Sequence, residues 1–473
     1  MGVSNSHYSP STLLVKLFLL FGLLYVFIVP PFQMADEDSH FKKAYLVSTL
    51  NFFPEMSGGQ IGNYLPKAIL DFEQKHRYMI GKTDQKFDYT DFQNNSIPVD
   101  YSNVVFSQFS TTKTHPILYL PQAIFMFLTR AVVKIIMLGN SDLLTPAVYL
   151  YAGRIGNLLF FMWIGRLAIK TIPFYKNLVL MLCIMPMTFS LASSLSYDSM
   201  VIGVSLFVTA LLLKYVISKE EGLLSRNHIL VLCLLSVLLI ELKQVYYPIL
   251  LLFLVIPNNR FKSIKSKLFS FAAIILSGIM SHILWVLVSK AGLGAPETSG
   301  VGAQVNFIIN NPLEYIMILL RTLSELRFFY LNSFVGNLGW LDTNFPVIFI
   351  LGYLLILLIL SFTDVNRQIT LGVKVKLVGI VIFIICFLLV ETSLYVTWTS
   401  LPQIGGIGHR VVSGVQGRYF IPFVLIILML FYSPKFKSDK LTYAMPIMLT
   451  PVCYFSCIFS LFVVFVRYWV PVS

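Results

Sequence analysis

A dense acidic cluster follows the first apolar segment of the chain. The run PPFQMADEDSH, from Pro30 to His40, contains Asp36, Glu37, Asp38 and His40. A carboxylate beside low-dielectric surroundings can have a raised pKa and act as a general base. Successive helical residues diverge by about 100°, so only one of Asp36 and Glu37 can point at a given hydroxyl, whereas Asp36 and His40 could share a face. The cluster predicts acid–base chemistry, and the alternative is a solvated helix end.

A second acidic residue, Asp198, lies in the very short segment SSLSYDS between two apolar runs, from Ser193 to Ser199. An ionisable group at such a place in a membrane protein is a functional candidate by default. The alternative is a helix cap, because Asp and Ser are good N-cap residues and an apolar helix is expected from residue 199. The two roles are compatible.

Cationic side chains occur in several short motifs that could hold a phosphate group. These are Lys113 and His115 in TKTHPILYLP, Lys243 in ELKQVYYP, Arg418 in GVQGRYFIP, and Arg410 just upstream of it. Lys and Arg suit a phosphate leaving group, and Arg can bind it with two hydrogen bonds. The alternatives are snorkelling of Lys113, a local pair of Lys243 with the nearby glutamate, and interfacial anchoring by the arginines.

The segment GNLGWLDTNFP, from Gly336 to Pro346, offers Trp340 and Asp342 as sugar-binding groups, and His40 is a third candidate for the acceptor. The alternative for Trp340 is membership of an interfacial aromatic belt. Arg154 and Asn157 interrupt an apolar segment and are costly there unless they face the protein interior.

The composition predicts an all-α polytopic membrane protein. Of 473 residues, 57% are hydrophobic and 12% are charged, and the mean hydropathy is +0.78, whereas soluble domains have about 25% charged residues. Apolar runs long enough to cross a bilayer recur along the chain. The net charge of +13 is explained by Lys and Arg in cytoplasmic loops, and we expect no nucleic-acid partner. The apolar segments are 12–29, 117–138, 147–169, 177–192, 199–217, 228–242, 244–257, 268–289, 346–362, 375–397, 418–433 and 443–467.

The distribution of basic residues predicts the topology. Short loops rich in Lys and Arg recur between the later segments, which places them in the cytoplasm. The parity then makes 31–146 one large external loop, with 117–138 as an interfacial or re-entrant helix. A second large external loop covers 290–345. We expect a single domain over 1–473 with about eleven transmembrane helices, a cytoplasmic N-terminus, and Asp36 and Asp198 together on the outer face.

The ordered motifs PPFQMADEDSHF, HPILYLP, SSLSYDS, LKQVYYP, GWLDTNFP and QGRYFIP resemble a bacterial membrane-protein family placed in the GT-C superfamily of polyprenyl-phosphate-sugar-dependent glycosyltransferases. The resemblance spans most of the chain, and it implies a GT-C-like fold with interfacial helices in the first external loop. It also implies that Asp36-Glu37 is the acidic pair after the first helix and that Asp198 is the second acidic residue. Related transferases have a Lys-Pro-Pro turn, where this chain has Lys113-Thr114-His115-Pro116 with His115 in the Lys position.

The resemblance further implies the reaction. Asp36 would deprotonate or orient an acceptor hydroxyl, which attacks the anomeric carbon of a polyprenyl-phosphate sugar in one inverting displacement. The cations named above would hold the leaving phosphate. Asp36 and Asp198 could both ligate a divalent metal, but many such enzymes with monophosphate donors need none, and we predict no metal and no cofactor.

A membrane context follows for the partners. No phosphate loop, nucleophile elbow or nucleotide-binding domain is present in the sequence, so an activated donor must arrive on a lipid. The expected partners are a polyprenyl-phosphate sugar, a polysaccharide or lipid-linked saccharide acceptor such as an O-antigen, and the bilayer of the bacterial plasma membrane. The alternative is a transporter or flippase of lipid-linked saccharides, whose inverted repeats and broken helices are not evident. A non-catalytic polymerase partner is a weaker alternative.

Overall fold

A computed structural model of the chain describes residues 8–88, 90, 97–136, 143–217, 222–289, 300–436 and 439–471. Helices dominate this part of the chain. They are α1 (Pro10–Ile28), α2 (Glu37–Ser48), α3 (Lys67–His76), α4 (Leu120–Ile136), α5 (Pro146–Thr171), α6 (Lys176–Ile184), α7 (Pro186–Ala192), α8 (Asp198–Ile217), α9 (Arg226–Leu242), α10 (Ile264–Ser289), α11 (Val301–Asn310), α12 (Pro312–Val335), α13 (Val347–Thr363), α14 (Val373–Leu394), α15 (Ile421–Leu428) and α16 (Asp439–Trp469).

The expected apolar segments coincide with helices throughout the described residues, which confirms a mostly helical polytopic membrane protein. By length and composition, seven described helices could cross a membrane: Pro10–Ile28, Pro116–Ile136, Pro146–Thr171, Asp198–Ile217, Ile264–Ser289, Val373–Thr399 and Ile447–Trp469. Shorter apolar helices are Gln244–Val255, Val347–Thr363 and Gly417–Phe431. The total of about eleven crossings therefore stays a prediction.

The apolar stretch 228–257 is divided as expected, into α9 and a 3-10 segment, Gln244–Val255. The break falls at Lys243, whose backbone is extended with φ −168° and ψ 114°. Pro248 lies inside the second segment and cannot donate a helical hydrogen bond. Lys243 thereby stands at the top of a sharp reversal of the chain.

The segment 117–138 forms a 3-10 turn, Pro116–Tyr119, followed by α4. Together they are 21 residues long, and their hydropathy would allow a crossing, so the interfacial placement of this segment stays a prediction. The helix packs closely against α5 at Gly156, which has no side chain. A Cβ at this position would lie only 2.4 Å from the carbonyl oxygen of Pro121.

The segment 290–345, expected as an external loop, is largely helical where it is described. Its residues form α11 and α12, which are separated at Asn311. The external placement of this segment stays a prediction. Its helices were not expected, because α12 carries charges at intervals that lower its hydropathy without weakening its helical propensity. Its charged residues are Glu314, Arg321, Glu325 and Arg327.

A small antiparallel sheet, in the order β1-β2-β3, lies within the expected first external loop. Its strands are Glu55–Ser57, Gln60–Pro66 and Val104–Ser107. The central strand pairs Tyr64 with Phe106 and leads directly into α3. Only interfacial helices were expected in this region, so the sheet is a finding of the structure.

The helix bundle has two distinct ends. At one, Tyr8 donates to Asn177, and Asp364 accepts hydrogen bonds from the backbone of Asn177 at the start of α6; we call this the basic end, because the short basic loops lie there. At the other, Trp469 donates to the carbonyl oxygen of Ile28 at the end of α1. We call this the site end, because the turn with Asp36 follows directly.

Candidate functional site

The turn between α1 and α2 has an unusual backbone. Phe32 and Asp36 both have φ of 61°, a left-handed conformation that is uncommon outside glycine. Surrounding side chains hold this turn: the indole N–H of Trp340 donates to the carbonyl oxygen of Phe32 at 3.0 Å, and the hydroxyl of Tyr468 donates to that of Gln33 at 3.2 Å. Strained backbone that is held in this way is characteristic of functional sites.

Glu37 turns into the protein and forms a fully buried ion pair with Arg154 of α5. Its Oε1 accepts hydrogen bonds from Arg154 Nε at 2.8 Å and from the backbone N–H of Leu195 at 3.1 Å. Its Oε2 accepts from Arg154 Nη2 at 2.6 Å and from the backbone N–H of Phe32 at 3.1 Å. The pair therefore joins the acidic turn to the loop that precedes Asp198.

Arg154 also satisfies the end of α1. Its Nη1 donates to the carbonyl oxygens of Val26 and Val29, and its Nη2 donates to that of Pro30. The last carbonyl groups of a helix have no partner within the helix, so this one guanidinium both caps α1 and holds Glu37. The expectation that Arg154 faces the protein interior is confirmed.

Asn157, one turn further along α5, organises the second acidic loop. Its side-chain N–H groups lie within hydrogen-bonding distance of several carbonyl oxygens, including that of Ser194 at 2.7 Å and that of Ser196 at 3.2 Å. Its Oδ1 accepts from Ser199 Oγ and from Gln122 Nε2. Arg154 and Asn157 thus position both acidic loops from one helix, and the interior placement predicted for Asn157 is confirmed.

Asp198 faces two cations that come from distant parts of the sequence. Its Oδ1 lies 3.8 Å from Lys243 Nζ, and its Oδ2 lies 3.5 Å from Arg418 Nε. At the start of α8 the backbone N–H of Asp198 donates to Ser196 Oγ, so Ser196 supplies the local capping oxygen while the Asp198 carboxylate is directed at the cations. Arg418 Nε is buried and has no hydrogen-bond partner within the described residues.

Arg418 is placed by a very close contact at Gly417. The backbone N–H of Gly417 donates to Ser333 Oγ at 2.7 Å, and a Cβ on Gly417 would lie 1.9 Å from the carbonyl oxygen of Tyr330. The next residue, Tyr419, presents its ring to Lys243 Nζ, which lies 4.0 Å from the ring centroid. Such a cation–π contact orients Lys243 toward Asp198.

Asp36 is the carboxylate of the cluster that reaches solvent. Its residue is exposed, unlike Glu37. Partial burial raises the pKa of the Asp36 carboxyl; the charges of Asp198 and Asp38 raise it further, and those of Arg418 and Lys243 lower it. The five charged groups therefore share one electrostatic site, in which Asp36 is the accessible carboxylate.

His40 lies beside this site as a neutral group. Its Nδ1 is 2.8 Å from the hydroxyl of Tyr119, and its ring meets that of Tyr197 edge-on at 5.1 Å. Burial lowers the pKa of His40 to about 4. His40 therefore contributes a polar wall without positive charge at neutral pH.

A neighbouring polar cluster contains the candidates from the turn before α4. The ring of His115 lies 4.5 Å from that of Trp285, whose indole N–H donates to the carbonyl oxygen of Lys113. Burial lowers the pKa of His115, which also feels the charge of Glu241. Glu241 itself binds His282 Nδ1 at 3.2 Å. Lys243 faces Asp198 instead, so the alternative of a local pair between Glu241 and Lys243 is wrong.

The remaining candidates have partners outside the Asp198 cluster. Asp342 forms an ion pair with Arg467 of α16 at 2.7 Å, and Arg410 pairs with Glu325 of α12 at an exposed position. Trp340 is committed to the acidic turn, as described above. These contacts support the turn and the surface of the protein, and they do not bring the two aspartate carboxylates together with Arg410 or Asp342.

The described residues contain no group of three or more His, Cys, Asp or Glu side chains that could hold a metal ion. The charge pattern of the site agrees with this, because Asp198 already has Lys243 and Arg418 beside it. A divalent cation there would face two positive charges.

An open apolar groove begins beside Lys243. It offers about 460 Å³ between the 3-10 segment Gln244–Val255, α10 and α14. Gln244 stands at its polar end, and Tyr247, Leu251, Ile279 and Leu389 are among the apolar residues that line it. A long hydrocarbon chain could lie in this groove while its polar end remains near the cations.

Several residues of the site were missed by sequence reasoning. Tyr119, Tyr197 and Tyr419 line the cluster, and His282 binds Glu241. The motifs that contain these tyrosines were noted for other residues. His282 had no signal, because a single histidine in an apolar helix of 26 residues predicts nothing by itself.

Comparison with known proteins gives one relationship. We found no match for the chain among curated proteins or among solved structures. A family model described as a predicted membrane protein, DUF2142, matches residues 19–427. This range includes the acidic turn, the Asp198 loop, Lys243 and Arg418. The chain therefore belongs to the DUF2142 family of membrane proteins.

Proposed function

We propose that the chain is a membrane glycosyltransferase that moves a sugar from a polyprenyl-phosphate donor to a saccharide acceptor. The observation that carries the proposal is the grouping of an accessible carboxylate, Asp36, with two cations, the partly exposed Lys243 and the buried Arg418, at one end of the helix bundle. A base and a phosphate site side by side are the parts that such a transfer requires.

In the proposed step, the oxygen of an acceptor hydroxyl bonds to the anomeric carbon of the donor sugar. The bond from that carbon to the phosphate oxygen breaks, and the hydroxyl proton passes to Asp36. A raised pKa suits this role because it makes the ionised carboxylate a stronger base. The products are a glycoside, in which the configuration at the anomeric carbon is inverted, and polyprenyl phosphate.

Lys243 and Arg418 would stabilise the charge that develops on the leaving phosphate. Arg418 Nε lies 3.5 Å from Asp198 and has no hydrogen-bond partner in the described part of the chain. Asp198 keeps both cations charged and oriented before the donor binds. Glu37 would act as a positioning residue through Arg154, and Asp36 would be the base.

The apolar groove that begins at Gln244 supports a lipid-linked donor. It starts one residue from Lys243 and continues along α10 and α14. A polyprenyl chain in the groove would deliver its phosphate to the site end without passage through water. The neighbouring cluster with His115 and Lys113 would then lie on the side from which the acceptor enters. The proposed reaction uses no divalent metal.

The distribution of charge supports a location in the bacterial plasma membrane, with the site end outside and the basic end in the cytoplasm. The acceptor would be a surface polysaccharide or a lipid-linked precursor such as an O-antigen. GT-C membership and the outward orientation of the site are parts of the same proposal.

The test is transfer by the purified full chain from a panel of polyprenyl-phosphate sugars to lipid-linked and polysaccharide acceptors. We expect consumption of one donor and formation of a new glycoside, with loss of turnover but not of donor binding in D36N. Donor binding without turnover across the panel, together with movement of the donor between the leaflets of a vesicle, would overturn the enzyme in favour of a flippase.

A further inference from the structure

A second polar cavity lies at the basic end, remote from Asp36 and Asp198. It offers about 360 Å³, and its lining includes Arg226 and Lys262 together with the hydroxyl-bearing residues Ser225, Ser266 and Ser270. Arg226 opens α9, and Lys243 follows its last residue. The length of α9, 17 residues, therefore places the cavity roughly 25 Å from the candidate active site at 1.5 Å per residue.

The chain path brings two like helix ends together at this cavity. Ser236 Oγ of α9 donates to the carbonyl oxygen of Ile274 of α10, and further along Gln244 meets His282. The residue numbers rise together along both helices, so α9 and α10 run parallel. The 3-10 segment Gln244–Val255 runs in the opposite direction between them and brings the chain back to the basic end. Both N-termini consequently lie at the basic end, where the backbone of Leu224 donates to that of Arg260.

The positive charge of this cavity has no counterpart among the described residues. Arg226 and Lys262 are exposed, and neither forms an ion pair with a described acidic residue. The positive ends of two helix dipoles add to the charges of these side chains. An anion would relieve the repulsion between them.

The surface beside the cavity is strongly apolar. Leu230 and Leu234 lie one turn apart on α9 and are 61% and 67% exposed, and Phe269 on α10 is 78% exposed. Apolar residues such as Ile229 and Phe261 also line the cavity itself. A ligand that fits this surface has an anionic head and hydrocarbon chains.

We propose that this cavity binds the phosphate headgroup of an anionic phospholipid, with the acyl chains along the exposed faces of α9 and α10. Basic pockets between transmembrane helices are known to recognise such headgroups. The proposal does not depend on the proposed transferase activity, because it concerns the opposite end of the bundle. The lipid would pin the base of the α9–α10 pair, whose upper end carries Lys243.

The test compares the binding of dioctanoyl phosphatidylglycerol and dioctanoyl phosphatidylcholine to the purified full chain in detergent. Binding is measured as the shift of the thermal unfolding midpoint with lipid concentration. We expect the phosphatidylglycerol to bind at least about tenfold more tightly, since each basic residue near the headgroup adds about a factor of five. The preference should be lost in the double variant R226Q/K262Q and kept in R226K/K262R. A control is R367Q/K374Q, which removes one charge between α13 and α14 and one in the first turn of α14, both at the basic end, and leaves the cavity intact.

Each other outcome would contradict the proposal. Equal loss of preference in R226Q/K262Q and R367Q/K374Q would mean that the charge of the whole surface attracts the lipid. Equal binding of the two lipids by the unaltered chain would remove the anionic headgroup from the proposal. If inorganic phosphate displaces phosphatidylglycerol and binds as tightly as the lipid does, the cavity is a site for a soluble anion.

Discussion

Two adjacent carboxylates, Asp36 and Glu37, are expected to give opposite phenotypes when each is converted to its amide. D36N should unfold like the unaltered chain and lose sugar transfer. E37Q should be strongly destabilised, and any loss of transfer should accompany the loss of structure. The reason is that Glu37 is fully buried against Arg154, whereas Asp36 is exposed.

The magnitude for E37Q follows from the contacts of Arg154. Removal of one partner leaves a buried, uncompensated charge, which costs about 3–5 kcal/mol. The amide N–H group of the variant would also face hydrogen-bond donors in either orientation. At the Oε1 position it would meet Arg154 Nε and the backbone N–H of Leu195. At the Oε2 position it would meet Arg154 Nη2 and the backbone N–H of Phe32. For D36N the expected change lies within about 0.5 kcal/mol, because Asn adopts the left-handed conformation as readily as Asp.

Unfolding can be followed with a thiol-reactive dye during heating, because Cys183, Cys386, Cys453 and Cys457 are buried in the folded chain. The same preparations are assayed for sugar transfer at a temperature well below the unfolding midpoint. E325Q is the matched control, because Glu325 pairs with Arg410 at an exposed position where an ion pair contributes about 0–1 kcal/mol.

If E37Q unfolds at the temperature of the unaltered chain, the ion pair does not hold the acidic turn. If D36N transfers sugar at the rate of the unaltered chain, Asp36 is not the base. A fall in the unfolding midpoint of E325Q as large as that of E37Q would show that the assay reports charge loss in general.

Two further predictions concern the neighbours of Asp36. The transfer rate should fall as the pH drops through the pKa of Asp36, since the base must be ionised. D38N removes a charge that raises this pKa, so the acid limb of the pH–rate profile should move to lower pH. A move to higher pH would contradict the assignment of Asp36 as the base. G417A should lower the unfolding midpoint and slow transfer, because its Cβ would lie 1.9 Å from the carbonyl oxygen of Tyr330 and overpacking costs about 1–3 kcal/mol. Its control is G352A on α13, where the added Cβ meets open space; a G417A chain that melts and transfers like G352A would refute the close contact.

The helices could be predicted from the sequence because burial in a membrane leaves a strong pattern. Long apolar runs, divided by Pro, Gly and short basic loops, coincide with the helices of the structure, including the division at Lys243. The pattern failed where a helix is amphipathic, as in α12, and where strands are short, as in the three-stranded sheet. The sequence also identified Asp36, Asp198, Lys243 and Arg418 as candidates by residue type and motif.

The arrangement of these candidates was decided only by the tertiary structure. Helical geometry allows only one of Asp36 and Glu37 to face an acceptor, but the choice depends on Arg154, which lies 117 residues from Glu37. Lys243 and Arg418 meet at Asp198 because the chain reverses after α9 and because Gly417 approaches α12 closely. Spacing along the chain carries no information about such contacts, since they arise from the packing of helices that are distant in sequence. The composition therefore determined that this chain is a helical membrane protein, and the packing determined which carboxylate is buried in an ion pair and which one reaches solvent.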